Sequence, residues 1–445
     1  MMDIIVVGGG ACGLTAALAA AQHGARVMLI EKSFESRSNT ARSSGMIPAA
    51  GTRFQKAAGV EETPEDFAND ILNKNRHKSD PAITRHMTNI IPEVVEWLVD
   101  ECSVTLEFVE DFTYPGHSTY RMHAPPTSTG ADLHTDLLRA AEAHDNITIM
   151  DNTAVTGVKL SDDEVAVSVD NVDASLMGKK LILATNGFGA NSDMVREFTP
   201  DIASAMYFGS PGNTGEGIAW GIENGAATAY MDAYQGHNSV STQANELISY
   251  AMVTEGGFQV NKHGQRFGTE DQGYSERSLE VLAQPDGIAW DIYDEKIHRL
   301  GLTFEKYQVA MQAAAIISAE TPEALAEQLG IDAHGLTQTM TAFNAAGCGE
   351  AADEQGRALS RPLEPPYYGV KVTGALFHTQ GGLVVDEVGR VLHNDGTPIP
   401  NLYAGGGTAA GVSGHGAAGY LSGNGLLTAF VYGYLAGRHA AQSIT

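Results

Sequence analysis

Positive charge is scarce in this 445-residue chain: 27 lysines and arginines face 54 aspartates and glutamates, a formal net charge of −27. Such a surface repels phosphate backbones and anionic headgroups, so neither nucleic acid nor a membrane is an expected partner. Cysteine is sparser still. Cys12, Cys102 and Cys348 are odd in number and far apart, which suits buried thiols in a reducing compartment better than a disulfide framework, and a cytoplasmic location is expected. No apolar run reaches the ~18–20 residues that a membrane-spanning helix needs. No basic leader or twin-arginine signal precedes the first apolar run, so export is not expected. A CxxCH haem signature is also missing. What the chain has in excess is glycine, 50 residues gathered in short runs between apolar segments, a pattern that suggests backbone approaching a ligand.

The length exceeds one ordinary core, so two domains are expected, and a 43% apolar content is enough to fill both. At the N-terminus, DIIVV is followed by GGG, a small-residue helical stretch and a second apolar run, RVMLIEK. This reads as a strand, a tight turn, a helix and a parallel strand. Gly8, Gly10 and Gly13 form G-x-G-x-x-G directly after the first strand, and Glu31 closes the second. Gly8 permits the turn, Gly10 lets backbone amides reach a pyrophosphate and Gly13 lets helix and sheet pack closely. Glu31 accepts from ribose hydroxyls, which favours an unphosphorylated ribose and leaves NAD or FAD.

Two later apolar runs also end in glycines, KKLILATNGFGA at 179–190 and NLYAGGGTAAG at 401–411, the second followed by GYLSGNGL and a small-residue helix. Gly405 and Gly407 at the strand end, and Gly423, Asn424, Gly425 and Leu426 at the helix start, are placed to direct amides and a helix dipole at a bound cofactor. Charged helical segments between these runs read as an inserted cap. The expected class is α/β: a Rossmann-type, glutathione-reductase-like domain over 1–235 and 365–445, with an inserted α+β cap domain over 236–364. Trp97, Trp220 and the methionines are read as core.

Several segments together resemble the flavoprotein family of fumarate reductases, succinate dehydrogenase flavoprotein subunits and ketosteroid dehydrogenases. They are SNTARSSGMIPAAGT, LATNGFGAN, TGEGIAWGIENGA, HTQGGLVVDEVGRVL and IPNLYAGGGTAAG. The resemblance implies FAD, and it adds Lys32, Asn39, Thr40, Ser44, Gly45, Val155, Thr185, Asn186 and Gly187 to the cofactor-binding residues. Two departures carry information. Where succinate dehydrogenase subunits attach FAD through the histidine of R-S-H-T, this chain reads Arg37-Ser38-Asn39-Thr40, which implies non-covalent FAD. Where fumarate reductases place a proton-delivering arginine and a carboxylate-clamping arginine, it has Tyr274 and Tyr420.

The segments E-D-x-x-Y and G-Y-x-S-G are similar to the 3-ketosteroid 4-ene (5α) dehydrogenase branch, which implies removal of hydrogens α and β to a ketone. Such a reaction needs a hydride acceptor at flavin N5, a base for the α-proton and donors on the carbonyl oxygen. Tyr274 is expected to exchange the α-proton, with Arg266, Glu270 and Arg277 as the neighbours that tune it. Tyr420 is expected to donate to the keto oxygen, supported by Ser422. His237 and His378 match family histidines that hold substrate oxygens. If both face the pocket, a keto acid becomes a candidate, with Arg121 and, if protonated, His123 adding to an anion site; Arg121 is equally a candidate for a surface or interdomain ion pair. The expected partners are a small ketone or keto acid and an external electron acceptor. Two other readings stay open: a fumarate-reductase-like enoate or enone reductase, and a flavin electron-transfer subunit.

Overall fold

Two sheets organise the chain, and the first is parallel where it matters. The computed structural model describes residues 1–110, 112–170, 172–347, 353–358 and 361–444. Strands Pro398–Ala404, Val172–Leu183, Met2–Val7, Val27–Ile30 and Ile147–Met150 lie side by side in that order, all parallel. Ile4, Ile5 and Val6 are wholly buried, as expected of short apolar strands covered on both faces. Val7 pairs with both Ile30 and Leu183, and Leu183 pairs with Ala404. The strands therefore end level, and the turns that follow them, at Gly8, Glu31, Ala184 and Gly405, open on one crevice, as ligand sites of parallel sheets do. Arg390–Leu392 adds an antiparallel edge, and the hairpin of Val155–Leu160 and Val165–Val169 joins through Val172–Leu183.

Helix Ala11–Gln22 returns from the first strand, and nearly all of it is buried. It packs against the last helix, Asn424–Gln442, at a distance that only small residues allow. A Cβ at Gly433 would lie 2.5 Å from the Cys12 carbonyl oxygen, and one at Gly437 would collide with the carbonyl of Ala16. The small-residue composition of both segments is thus a packing requirement. Cys12 and Cys102 are buried free thiols; Cys348 lies outside the described residues.

The second sheet is built on Tyr367–Thr379, which pairs with Met206–Tyr207, Tyr234–Ser241, Ile288–Asp294 and Ile316–Ala319. Phe258–Val260 pairs with Ile288–Asp294 at its edge. Two separate apolar clusters cover it, one around Met252, Tyr293 and Val370 and one around Phe258, Leu336 and Phe343. Helix Tyr274–Leu282 lies on this sheet; a Cβ at Gly374 would come within 2.6 Å of the Ser278 carbonyl oxygen. Tyr367–Thr379 begins just beyond position 364, where the sequence suggests re-entry into the first domain, and its far end brings Phe377 and His378 to the crevice.

Replacing Gly433 by valine is expected to cost about 1–3 kcal/mol through overpacking, read as a lowered thermal midpoint of the FAD-loaded protein. Gly157→Ala, where an added Cβ meets nothing within 4 Å, leaves the midpoint unchanged.

Candidate active site

A continuous cavity of about 360 Å³ runs from the turn after the first strand, between the two sheets, to a chamber walled by aromatic side chains. At the first end Gly8 has φ +107°, and a Cβ there would collide with the Ala184 carbonyl. Gly10 has nothing nearer than 3.7 Å on its Cβ side, so its backbone faces the cavity. Glu31 lines the same end; its carboxylate accepts from the amides of Gly9 at 2.6 Å and Ser33 at 2.9 Å.

At the other end, Tyr274 opens helix Tyr274–Leu282 and is almost fully buried, 7% exposed. Its ring stacks on His237 at 4.7 Å and meets Tyr114 and Tyr250 edge-on, both at 5.9 Å. Its hydroxyl donates to Ser422 Oγ at 3.0 Å. Tyr420, buried 6.1 Å away between ring centres, comes from the loop before helix Asn424–Gln442. Its phenol oxygen faces the backbone amides of Gly425 and Gly423. Ser422 is thus bonded to Tyr274 rather than to Tyr420.

Loss of solvent sets the protonation of this chamber. Burial pushes the Tyr274 phenol well above its ordinary range, and the neighbouring Tyr420 adds to the effect. Burial raises Tyr420 too, against the pull of the two amides. The cations expected to lower Tyr274 are engaged elsewhere. Arg266 binds Glu270 and Asp353, and Arg277 binds Glu280 and Gln259. Both guanidiniums serve the packing under the second sheet, where a buried charge must be paired.

The histidines are neutral for the same reason. Burial, helped by Lys306, brings His237 down to about 3, and burial brings His378 down to about 4. The cationic side chains lining the cavity, Lys32 and Arg42, are engaged by protein groups, as is Lys306 behind them. Lys32 pairs with Glu216 at 2.8 Å, and Arg42 donates to the carbonyls of Arg37 and Ser36 at 3.2 Å each. Lys306 donates to the Arg42 carbonyl and is lowered to about 8 by burial. Arg121 and His123 stand outside the cavity. Arg121 is buried against Glu62 and Asp70, and His123 bonds Thr52 at 2.9 Å. The sequence pattern YRMHAPP gives no sign that both side chains turn inward to a separate core.

A family model described as the FAD binding domain matches residues 3–426. The chain belongs to this FAD-binding family. It is an FAD-dependent oxidoreductase. It is 32% identical over 449 residues to NADH:fumarate oxidoreductase of Klebsiella pneumoniae, covering 99% of this chain and 48% of that protein; it therefore spans about half the length of that relative. It also resembles the open conformation of a flavocytochrome c3 fumarate reductase (TM-score 0.83, 29% identity, 100% of this chain and 78% of that one). A third likeness is to 3-ketosteroid-Δ4-(5α)-dehydrogenase from Rhodococcus jostii RHA1 in complex with 4-androstene-3,17-dione (TM-score 0.76, 25% identity, 99% and 96% coverage).

The cavity of this flavoprotein suits FAD on its own geometry. The glycine cradle leaves backbone exposed at Gly8 and Gly10. Helix Ala11–Gln22 has no side-chain cap from Gly10, and helix Asn424–Gln442 starts behind Gly423 at φ +89°, also without a side-chain cap. Two helix N-termini thus face the crevice, suited to a pyrophosphate and to an electron-rich ring edge. Lys32, Thr40, Ser44, Val155, Thr185 and Asn186 line it as well, as do Gly407, Gly423, Gly425 and Leu426.

Five expected cofactor residues stand behind the wall and not in it. Gly13 and Gly187 admit the Gly8 carbonyl and the Thr379 hydroxyl, Gly45 approaches the Thr129 carbonyl, and Gly405 leaves room for Cys12 Sγ. Asn424 is wholly buried and donates to Ser413 at 3.0 Å. Asn39 lines the cavity, but its carboxamide is occupied. Nδ2 donates to the Phe377 carbonyl, and Oδ1 accepts from Ser210 and Asn213. Tyr114, Tyr250, Phe377, Gln380 and Trp220 also line the cavity; Tyr114, Tyr250 and Phe377 carry no motif, Gln380 stands in the HTQGG segment but was not among the expected site residues, and Trp220 reads as core.

Because His378 has a folded value of about 4 against 6.5 for an unhindered imidazole, unfolding takes up a proton between those limits. Stability is therefore full above pH 6.5 and falls as pH drops toward 4, by up to about 1.4 kcal/mol per pH unit for one imidazole. Urea midpoints measured across pH 4–7 are expected to show a slope that His378→Gln reduces by that amount.

Proposed function

We propose that this flavoprotein desaturates the carbon–carbon bond α,β to a ketone on an uncharged substrate, a cyclic or steroid-like ketone in preference to a keto acid. The observation that carries the reading is the pair Tyr274 and Tyr420, 6.1 Å apart at a cavity end without a free guanidinium. The solved ketosteroid dehydrogenase in complex with a steroid dione supports it at 25% identity over 99% of this chain. Neutral His237 and His378 offer hydrogen bonds and no charge, which argues against a carboxylate. In this reading the segment between about 236 and 364 forms the cap over a non-covalently held cofactor, its strands paired to Tyr367–Thr379 from the flanking domain segment. The paucity of cysteine and the buried state of Cys12 and Cys102 fit a cytoplasmic setting. Among the described residues no helix is long and apolar enough to cross a membrane.

FAD, when bound, supplies the hydride acceptor. Tyr420 works as the carbonyl donor: the amides of Gly423 and Gly425 face its oxygen, and its proton is the group left to meet the substrate carbonyl. Enolate charge developing on the ketone oxygen is then met by a preorganised dipole in a dry site. Tyr274 is held protonated at neutral pH by burial; once its own proton has gone to solvent, its phenolate oxygen takes the α-proton from the substrate. Its raised pKa makes the removal step faster as pH rises through the alkaline range. The aromatic walls of Tyr114, Tyr250 and Phe377 keep water out and favour a flat apolar ring.

A second reading, reduction of an unsaturated acid by an external donor, is favoured by the 32% identity to an NADH:fumarate oxidoreductase. Against it, the chamber wall carries tyrosines where fumarate reductases place arginines, and the nearby Lys306 is already engaged by the Arg42 carbonyl. Anaerobic addition of cyclic ketones and steroid ketones is expected to bleach the flavin, with Tyr274→Phe slowing bleaching by about 10²–10⁴-fold. Bleaching insensitive to both Tyr274→Phe and Tyr420→Phe, or reoxidation only by unsaturated acids, overturns the proposal. Acid precipitation is expected to leave all the yellow colour in the supernatant; colour retained in the pellet would contradict non-covalent binding.

A further inference from the structure

The two chamber histidines present the same unanswered edge. His237 accepts the Ser239 backbone amide on Nδ1 at 3.1 Å. A backbone N–H only donates, so that ring carries its proton on Nε2. His378 has no backbone amide at Nδ1. It has instead the carboxamide of Gln380, 4% exposed, with Nε2 at 2.8 Å from Nδ1. Neither Nε2 makes a hydrogen bond within the described residues, and both rings line the cavity.

Which way the Gln380 carboxamide points decides the tautomer of His378, and a buried chain behind it sets that direction. Asn424 Nδ2 donates to Ser413 Oγ at 3.0 Å, and Ser413 Oγ donates to Gln380 Oε1 at 2.9 Å. Asn424 and Ser413 are 0% and 1% exposed, so no solvent can substitute for a missing partner. Turning Gln380 alone would aim two donors at the Ser413 oxygen and strand its proton. Turning Asn424 as well would restore that bond, but would leave its NH₂ group without an acceptor where its carbonyl oxygen now stands unpaired. A buried orphan donor is the rarer and costlier of the two. The Thr379 carbonyl, 3.3 Å from the same Nδ1, competes for a proton there, but it lies half an ångström further away than the Gln380 donor.

From this geometry we infer that Gln380 is a positioning residue that fixes the tautomer of His378, leaving its single ring proton on Nε2 as a hydrogen-bond donor turned into the chamber. Together with His237 it gives the chamber two neutral Nε2–H donors beside the tyrosines, matched to an uncharged acceptor such as a second carbonyl or a hydroxyl oxygen on the substrate. A carboxamide donor at Nδ1 also opposes a second proton on the ring, in the same direction as burial. His378 therefore takes no part as an acid near neutral pH and leaves proton transfer to the tyrosines. The inference concerns the protein's own hydrogen bonds and holds whichever substrate enters.

Long-range ¹⁵N–¹H correlation spectra of the FAD-loaded protein, labelled on histidine nitrogens, read this directly; the signal that disappears in His378→Gln assigns the ring. The expected pattern is an unprotonated Nδ1 and a protonated Nε2, unchanged from pH 6 to 8. Gln380→Glu replaces the donor with an acceptor. It is expected to move the proton to Nδ1 and raise the midpoint of His378 by about one to three units, while Gln380→Met gives a mixture of tautomers. A wild-type spectrum with the proton on Nδ1 overturns the inference without recourse to any variant, as does a Gln380→Glu protein that binds FAD and keeps the wild-type pattern. Failure of every ketone to bleach the flavin would sink the ketone reading and leave this result standing.

Discussion

Exclusion of water from the aromatic end of the cavity is the constraint on which the chemistry of this protein depends. One cause moves the side chains there in opposite nominal directions to the same end. Burial raises the phenols of Tyr274 and Tyr420 and lowers the imidazoles of His237 and His378. All four are therefore uncharged at neutral pH, because desolvation penalises whichever form carries charge. A chamber without fixed charge cannot rely on ion pairing to hold a substrate. It must use shape, ring stacking and singly directed hydrogen bonds, whose directions are set from behind by backbone amides and buried carboxamides.

The framework that makes this possible is built from close approaches between main chains. Level strand ends bring four turns to one crevice, and small residues let the first and last helices pack within van der Waals reach of each other's carbonyls. The second sheet completes the site from above. Tyr367–Thr379 is its central strand and delivers Phe377 and His378 to the chamber, while helix Tyr274–Leu282 delivers Tyr274.

The dinucleotide-binding half was the more legible in the sequence, because its function is written in backbone requirements. A glycine that must accept positive φ or a near contact leaves a fixed spacing, as at Gly8 and Gly10. At Gly13 the close approach is the helix packing expected there, whereas the same logic misled at Gly187 and Gly405, where the close neighbour is another part of the protein; spacing does not reveal who the neighbour is. At the aromatic end, Tyr274, Tyr420, His237 and His378 were visible by their departure from or agreement with family patterns. Tyr114 and Tyr250 were not, since nothing local distinguishes a tyrosine that faces a cavity from one that packs under a sheet. Arg266 and Arg277 were misread, and Arg121 left open between an anion site and an ion pair, for a related reason. Their carboxylate partners Asp353, Glu280 and Glu62 lie 87, 3 and 59 residues away, and the choice between a pocket and an ion pair is made by tertiary packing.

The contrast between a surface bearing −27 and a chamber bearing nothing places two filters in series. Under the proposed ketone reading, an anionic look-alike is slowed at long range by the field, which reaches only about 8 Å at physiological ionic strength, and then meets aromatic walls and neutral imidazoles at contact. Adding salt removes the first barrier and leaves the second. Under the same proposed reading, selection against anions belongs to the interior, and the surface governs only how often they arrive.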